Sequence, residues 1–209
     1  MPSVTRRRQT EGEETQAGAV DKLVDAFERL LAQGESFTTI SIERLAQEAG
    51  LGRATFYLHF RNKGELVNHL MKNVAKELRA AAVKTLHKTG NFGRAEFREF
   101  LRNAVEIHHR HRSAIRAMVE ISAYDAKVET IYREFWQAQV ADTRVVMERL
   151  KAAGKAHPDA VPETADLVTW TAERCCSQML HDSDAPERRE QFTDMLTHVV
   201  WSAIARPGC

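Results

Sequence analysis

Arg53, Thr55, Tyr57 and His59 fall within one short stretch of the chain, next to the small Ala54, and Lys63 follows shortly after. These are side chains that can reach base edges or phosphates of a nucleic acid: a guanidinium fork, hydroxyl and imidazole donors, and a small residue that permits close approach. Phe56 and Phe60 are four apart and can pack inward from the same helix. Between Gly50 and Lys76 the basic residues are Arg53, Arg61, Lys63, Lys72 and Lys76, with Glu65 as the only acid. A lysine in the first turn of a helix opposes the macrodipole, so Lys63 reads either as a phosphate contact or as a plain surface lysine.

Two other clusters carry potential chemistry. In His108-His109-Arg110-His111, His108 and His111 are one turn apart and could share a metal. Arg110 and Arg112 add positive charge there, and no carboxylate or cysteine stands at matching spacing. A helix C-terminus favours such cations in any case, so no metal site is expected. Cys175 and Cys176 are adjacent, and adjacent helical side chains diverge by about 100°, which makes small buried cysteines a simpler reading than a thiol sensor. The chain contains no nucleophile elbow, phosphate-cradling glycine loop, dinucleotide fingerprint or paired zinc-ligand motif, so neither an enzyme nor a cofactor is expected.

The elements around Arg53 are short and well punctuated. Ser41 can cap a helix with Ile42, Leu45 and Ala46 on one face and Glu43 near its positive end. Gly50-Leu51-Gly52 reads as a tight reversal, because glycine past the last apolar turn closes a helix in the left-handed conformation. A second helix carries Arg53 to His59, and Asn62 with Glu65 forms a capping-box-like pair that opens a third.

The stretch from Thr39 to Leu66 resembles the N-terminal signature of the TetR family of bacterial transcriptional regulators. The alanine-glycine before the turn, Thr55-Phe56-Tyr57, His59-Phe60, Lys63 and Leu66 stand at the family's spacing. Gly52 replaces a serine that usually caps the recognition helix, and Gly64 replaces an acidic residue. The resemblance implies a helix-turn-helix at about 41–60 whose DNA-facing residues are Ser41, Arg44, Gly52, Arg53, Ala54, Thr55, Tyr57, His59 and Lys63. It further implies a repressor released from a palindromic operator by a small hydrophobic inducer. Nonspecific or architectural DNA binding is the main alternative, and thiol- or metal-responsive regulation a lesser one.

A chain of 209 residues accommodates such a headpiece and a second, larger helical region. With 10 Gly and 5 Pro, and long segments rich in Ala, Leu, Glu, Arg and Lys, the composition favours an all-α protein. The formal net charge of +1 leaves no global polycation, so DNA binding must rest on a patch. No segment approaches the roughly 18 to 20 apolar residues of a membrane span, and Cys175, Cys176 and Cys209 form no disulfide framework. A cytoplasmic location is expected.

Residues 1–15 carry Arg6-Arg7-Arg8 without apolar periodicity and read as a flexible basic arm, either touching DNA or simply solvated. A DNA-binding domain over 16–77 follows, then a ligand-binding and dimerisation domain over 78–209. The helix opening at Glu65 runs on toward Leu86 and joins the two, so that a shift in one can pivot the other.

The second region holds Phe97, Phe100, Met118, Tyr124, Tyr132, Phe135, Trp136, Trp170 and Met179 on successive helices. Aromatics at helical spacing most often fill a core. The family resemblance implies that they line an inducer cavity, with Tyr124, Tyr132, Thr171 and Gln178 as polar contacts. Val128 to Tyr132 with Phe135, Glu173-Arg174 and Leu196 to Val199 are similar to the EthR-type branch, which binds elongated hydrophobic ligands; Ala172 stands where that branch tends to have asparagine. The last two helices offer more apolar surface than one side needs. Leu167, Cys175, Phe192, Met195, Leu196, Val199, Val200 and Ala203 are therefore expected at a homodimer interface, which the family builds as a four-helix bundle.

Overall fold

The computed structural model describes residues 4–86, 92–179 and 185–208, with side chains from residue 18 onward. It is all-α: α1 (Val4–Ala32), α2 (Ile42–Glu48), α3 (Arg53–His59), α4 (Lys63–Thr85), α5 (Arg94–Arg110), α6 (Arg112–Ser122), α7 (Ala126–Ala152), α8 (Thr164–Met179) and α9 (Pro186–Ile204). Among the described residues the only β-type pairing is one isolated bridge between Ala156 and Ala205. No helix among them is long and apolar enough to cross a membrane.

The caps lie where the sequence places them. Ser41 Oγ accepts from the Arg44 amide at 3.0 Å, and Gly50 turns the chain at φ 66°, a left-handed conformation that strains any residue with a Cβ. Asn62 Oδ1 accepts from the Glu65 amide at 3.0 Å. Glu65 returns the bond one residue earlier than a capping box would, accepting from the Arg61 amide at 2.8 Å. Most of the segment expected to form a flexible arm lies within α1, which begins at Val4. Its Arg, Gln and Glu residues are straight-chained and lose little freedom in a helix, which apolar periodicity does not register.

Packing does not part at the expected boundary between residues 77 and 78. Leu23, Phe27, Leu30, Leu45, Phe56, Leu66 and Leu70 of the headpiece belong to one buried cluster with Ile115, Met118 and Ile121 of α6 and with Val128, Phe135 and Trp136 of α7. A second cluster joins Ala82 and Leu86, Phe97, Leu101 and Val105 of α5, Val146 and Leu150 of α7, Val168 of α8, and Phe192, Leu196, Val200 and Trp201 of α9. The two cores therefore divide α4 and α7 along their length, and the headpiece rests on α6 as on one of its own helices.

Candidate nucleic-acid interface and buried cavity

Helix α3 separates its faces sharply. Phe56 is fully buried and Phe60 nearly so, their rings 5.7 Å apart, while Arg53, Ala54, Tyr57 and Leu58 are exposed and Thr55 and His59 half-buried. Leu58 is 78% exposed, a large apolar side chain on an otherwise polar surface. It lies one turn beyond Ala54 and escaped the sequence reading because leucine on a helix is ordinarily counted into the core. A thymine methyl is the base feature such a side chain fits.

Arg53 is held before any DNA arrives. Its guanidinium pairs with Glu43 across the turn, donates to the Tyr57 hydroxyl at 3.3 Å, and lies 5.5 Å from the Tyr57 ring centroid. The bond to Tyr57 and the charge of Glu43 raise its pKa further above the ordinary arginine value. Gly52 caps α3 without a side-chain bond. A Cβ there would come no closer than 4.0 Å to Thr55 Oγ1, so space does not dictate the glycine.

Two other residues expected on DNA are engaged within the headpiece. Arg44 reaches Glu48 at 3.1 Å and Glu35 at 3.4 Å. Lys63, expected on a phosphate, points its ammonium into the loop before α2. Nζ donates at 2.6 Å to both the Phe37 and the Ile40 carbonyl, and sits 4.5 Å from the Phe37 ring centroid. Burial lowers its pKa against the opposing pull of Glu120. Those carbonyls offset the unfavourable position in the first turn that made Lys63 look like a phosphate ligand.

Below the headpiece a mostly apolar cavity of about 90 Å³ opens between α4, α5, α7, α8 and α9. Val74 and Leu78 of α4 form one wall; Phe97, Phe100, Phe135 and Trp136 supply the rings, as expected. Six residues expected there lie elsewhere. Met118 is fully buried in the core under the headpiece, whereas Tyr124 is exposed at the α6–α7 turn. Thr171 and Met179 are exposed on α8. Tyr132 and Trp170 are half-buried with ring centroids 5.9 Å apart, and Trp170 lies 6.0 Å from Trp136, on the side that does not line the cavity. Aromatic or methionine character marks apolar residues but not the helix face they occupy.

The cavity's polar lining was not foreseen. Gln139, Thr143, Thr169, His108 and Glu173 all border it. Thr143 and Thr169 satisfy each other at 2.9 Å. Glu173 is buried and accepts from Ser177 Oγ at 2.9 Å and from the Tyr132 hydroxyl. Burial and the Glu173 charge together push the Tyr132 phenol well above its usual pKa. His108 Nε2 stands 3.4 Å from Ser177 Oγ, and Nδ1 is buried without a partner. Burial, with His109 alongside, pushes His108 down to about 4, so the imidazole is neutral. His111 is directed elsewhere, with Nδ1 2.8 Å from Glu28 and Nε2 3.1 Å from Glu77. The Cys176 thiol borders the cavity and is driven upward in pKa, mainly by burial, away from the reactive range; Cys209 lies outside the described residues.

The arrangement of α2, turn and α3 coincides with a match to a known family. Residues 23–70 match the model of bacterial regulatory proteins of the tetR family. Over those residues the chain carries a TetR-family N-terminal domain. A curated relative, the HTH-type transcriptional regulator EthR of Mycolicibacterium smegmatis (strain ATCC 700084 / mc(2)155), is 24% identical over 180 residues, covering 83% of this chain and 81% of that protein. Two solved structures share the fold. A TetR-family transcriptional regulator from Rhodococcus sp. has a TM-score of 0.73 at 17% identity, covering 88% of this chain and 99% of that one. NalD, the secondary repressor of the MexAB-OprM multidrug efflux pump in Pseudomonas aeruginosa, has a TM-score of 0.72 at 17% identity over 90% and 98%.

The chain exposes a further apolar face on its last two helices. Leu167 is 68% exposed on α8, and Met195 and Val199 are about half-exposed on α9; Cys175 and Ala203 are half-buried beside them. Phe192, Leu196 and Val200 were expected on the same face and are instead buried within the protomer, Leu196 and Val200 against the cavity. They are four residues apart and form the stripe by which α9 packs on α5, its principal neighbour, while Met195 and Val199 fall about 100° away.

Proposed function

We propose that this TetR-family regulator is a two-fold dimer that represses transcription from a palindromic operator and is released by a small apolar effector. The observation that carries the reading is the division of α3: Phe56 and Phe60 fix it to the core, and Arg53, Ala54, Tyr57 and Leu58 are left outward. That face fits a major groove, with Arg53 bonding a guanine edge, Leu58 on a thymine methyl and Tyr57 on phosphate. Gly52, Thr55 and His59 approach the backbone alongside, and Ser41 and Arg44 set the angle of α2. Lys63 acts by holding the preceding loop.

In the dimer Leu167, Cys175, Met195, Val199 and Ala203 bury themselves against their copies. Two-fold symmetry then sets the two α3 helices at half-sites about one helical turn of DNA, roughly 34–36 Å, apart. The effector enters the cavity walled by Val74 and Leu78, so that its binding moves α4 and with it the half-site separation. A coupling of about 1–3 kcal/mol between effector and DNA suffices for such control. The protein acts in the cytoplasm and carries out no catalysis of its own.

The test is a gel shift with the DNA upstream of the protein's own gene. Retardation at nanomolar protein, with scrambled DNA bound at least a thousandfold more weakly, is the expected result. Equal affinity for scrambled DNA would make it a nonspecific binder, and no shift on any candidate operator would remove the regulatory reading.

A further inference from the structure

Glu173 is a buried acid for which the described residues show no ion-pair partner. It lies in the middle of α8 with 5% of its surface exposed, on the wall of a cavity lined mostly by aliphatic side chains together with the rings of Phe97, Phe100, Phe135 and Trp136. Its hydrogen-bond partners, Ser177 and Tyr132, are neutral hydroxyls. His108, which joins the same chain of contacts through Ser177, is uncharged. A carboxylate in such surroundings is costly unless a cation meets it, and hydroxyl donors alone remove only part of that cost.

The geometry points to an apolar cation as the effector, its positive head paired with Glu173 and lying against the rings of Phe135 and Trp136, its apolar body displacing the side chains around Phe97 and Phe100. Aromatic faces attract a desolvated cation most strongly where water is excluded. The inference rests on the effector reading of the cavity and adds the charge of the ligand. An opposite charge has one foothold nearby: a separate cleft beyond His108 and Cys176 is bordered by Arg112, Arg116 and Arg174. Arg112 there already donates to the His109 carbonyl at 3.0 Å. That cleft shares His108 and Cys176 with the cavity but not Glu173 or the rings.

The deciding experiment is calorimetric titration of the full chain with decyltrimethylammonium, decanol and decanoate below their micelle concentrations, three heads on one tail. The ammonium is expected to bind at least tenfold more tightly than the alcohol. Glu173→Gln is expected to abolish that difference. Decanol binding as tightly as the ammonium, or decanoate binding most tightly, would overturn the charge assignment and leave the effector cavity standing. Should none of the three bind, both readings fall. The ranking in the unaltered protein decides the matter even where Glu173→Gln does not fold.

Discussion

His111 Nδ1 lies 2.8 Å from Glu28 Oε1, joining the turn between α5 and α6 to the first helix of the headpiece. Its other nitrogen is 3.1 Å from Glu77 of α4, which also takes Arg110 at 2.7 Å. Burial opposes the charge on the imidazole, but Glu28 and Glu77 outweigh it and raise the pKa above the ordinary histidine value. A raised folded-state pKa means stability that is full below the unfolded value near 6.5 and is lost as pH rises through the folded one. His111→Gln should lower stability by about 1–3 kcal/mol at pH 6, the scale of hydrogen bonds to charged groups, and by less at pH 9. Thermal unfolding of both proteins across that range checks this; an equal deficit at both pH values would mean that the imidazole is neutral.

His108 carries the opposite sign. Its pKa is pushed down to about 4, so the folded state holds it neutral; the stability gained is full above about 6.5 and is lost as pH falls toward 4. His108→Phe removes the titration, and its melting temperature should fall less between pH 7 and pH 4.5 than that of the unaltered chain. Parallel declines would refute the assignment.

Lys63→Met should destabilise the headpiece by about 1–3 kcal/mol by leaving the Phe37 and Ile40 carbonyls without their donor. At a temperature where both proteins are folded, the slope of DNA affinity against salt should not change. A slope reduced by about one ion would return Lys63 to a phosphate.

Arg53→Ala should cost about 1–3 kcal/mol at particular base positions, and Leu58→Ala should weaken preference for thymine in its place. Glu43→Gln, by releasing the guanidinium, should strengthen binding to specific and scrambled DNA alike. Selection of binding sites from random DNA reads the first two, and titration of operator and scrambled DNA reads the third; an unchanged sequence preference in Arg53→Ala would remove it from base reading.

Val199→Glu places a charge on the exposed face of α9 without touching the buried Leu196 and Val200 stripe. Sedimentation should show a folded monomer with operator affinity lost by orders of magnitude, whereas Leu196→Glu should instead unfold the protomer. A Val199→Glu variant that remained dimeric would move the interface elsewhere.

The headpiece was legible because its instructions are local. Ser41, Gly50 and Asn62 act on backbone groups within a few residues, and the four-residue step from Phe56 to Phe60 needs only a helix to become a buried pair. The contacts of Lys63 were not legible because its carbonyl partners lie 23 and 26 residues upstream, in a loop whose path no periodicity encodes. The same limit governs the second region. Apolar spacing marks α9 as amphipathic, but whether Met195 or Leu196 faces a partner depends on where α5 sits. His108 stands in a histidine cluster and Glu173 within a family resemblance, and nothing in the sequence puts them together; α5 and α8 bring them to one wall.

A volume of about 90 Å³ is room for roughly three water molecules, well short of the roughly 300 Å³ at which drug-sized ligand sites begin. On the effector reading proposed above, a sizeable guest needs the lining to move, and the rate of that movement is a property of the protein. At high effector concentration the rate of association should level off at the frequency of that opening. Departure is gated in the same way. The promoter would keep a record of the effector after its concentration has fallen, for as long as the rings stay closed behind it.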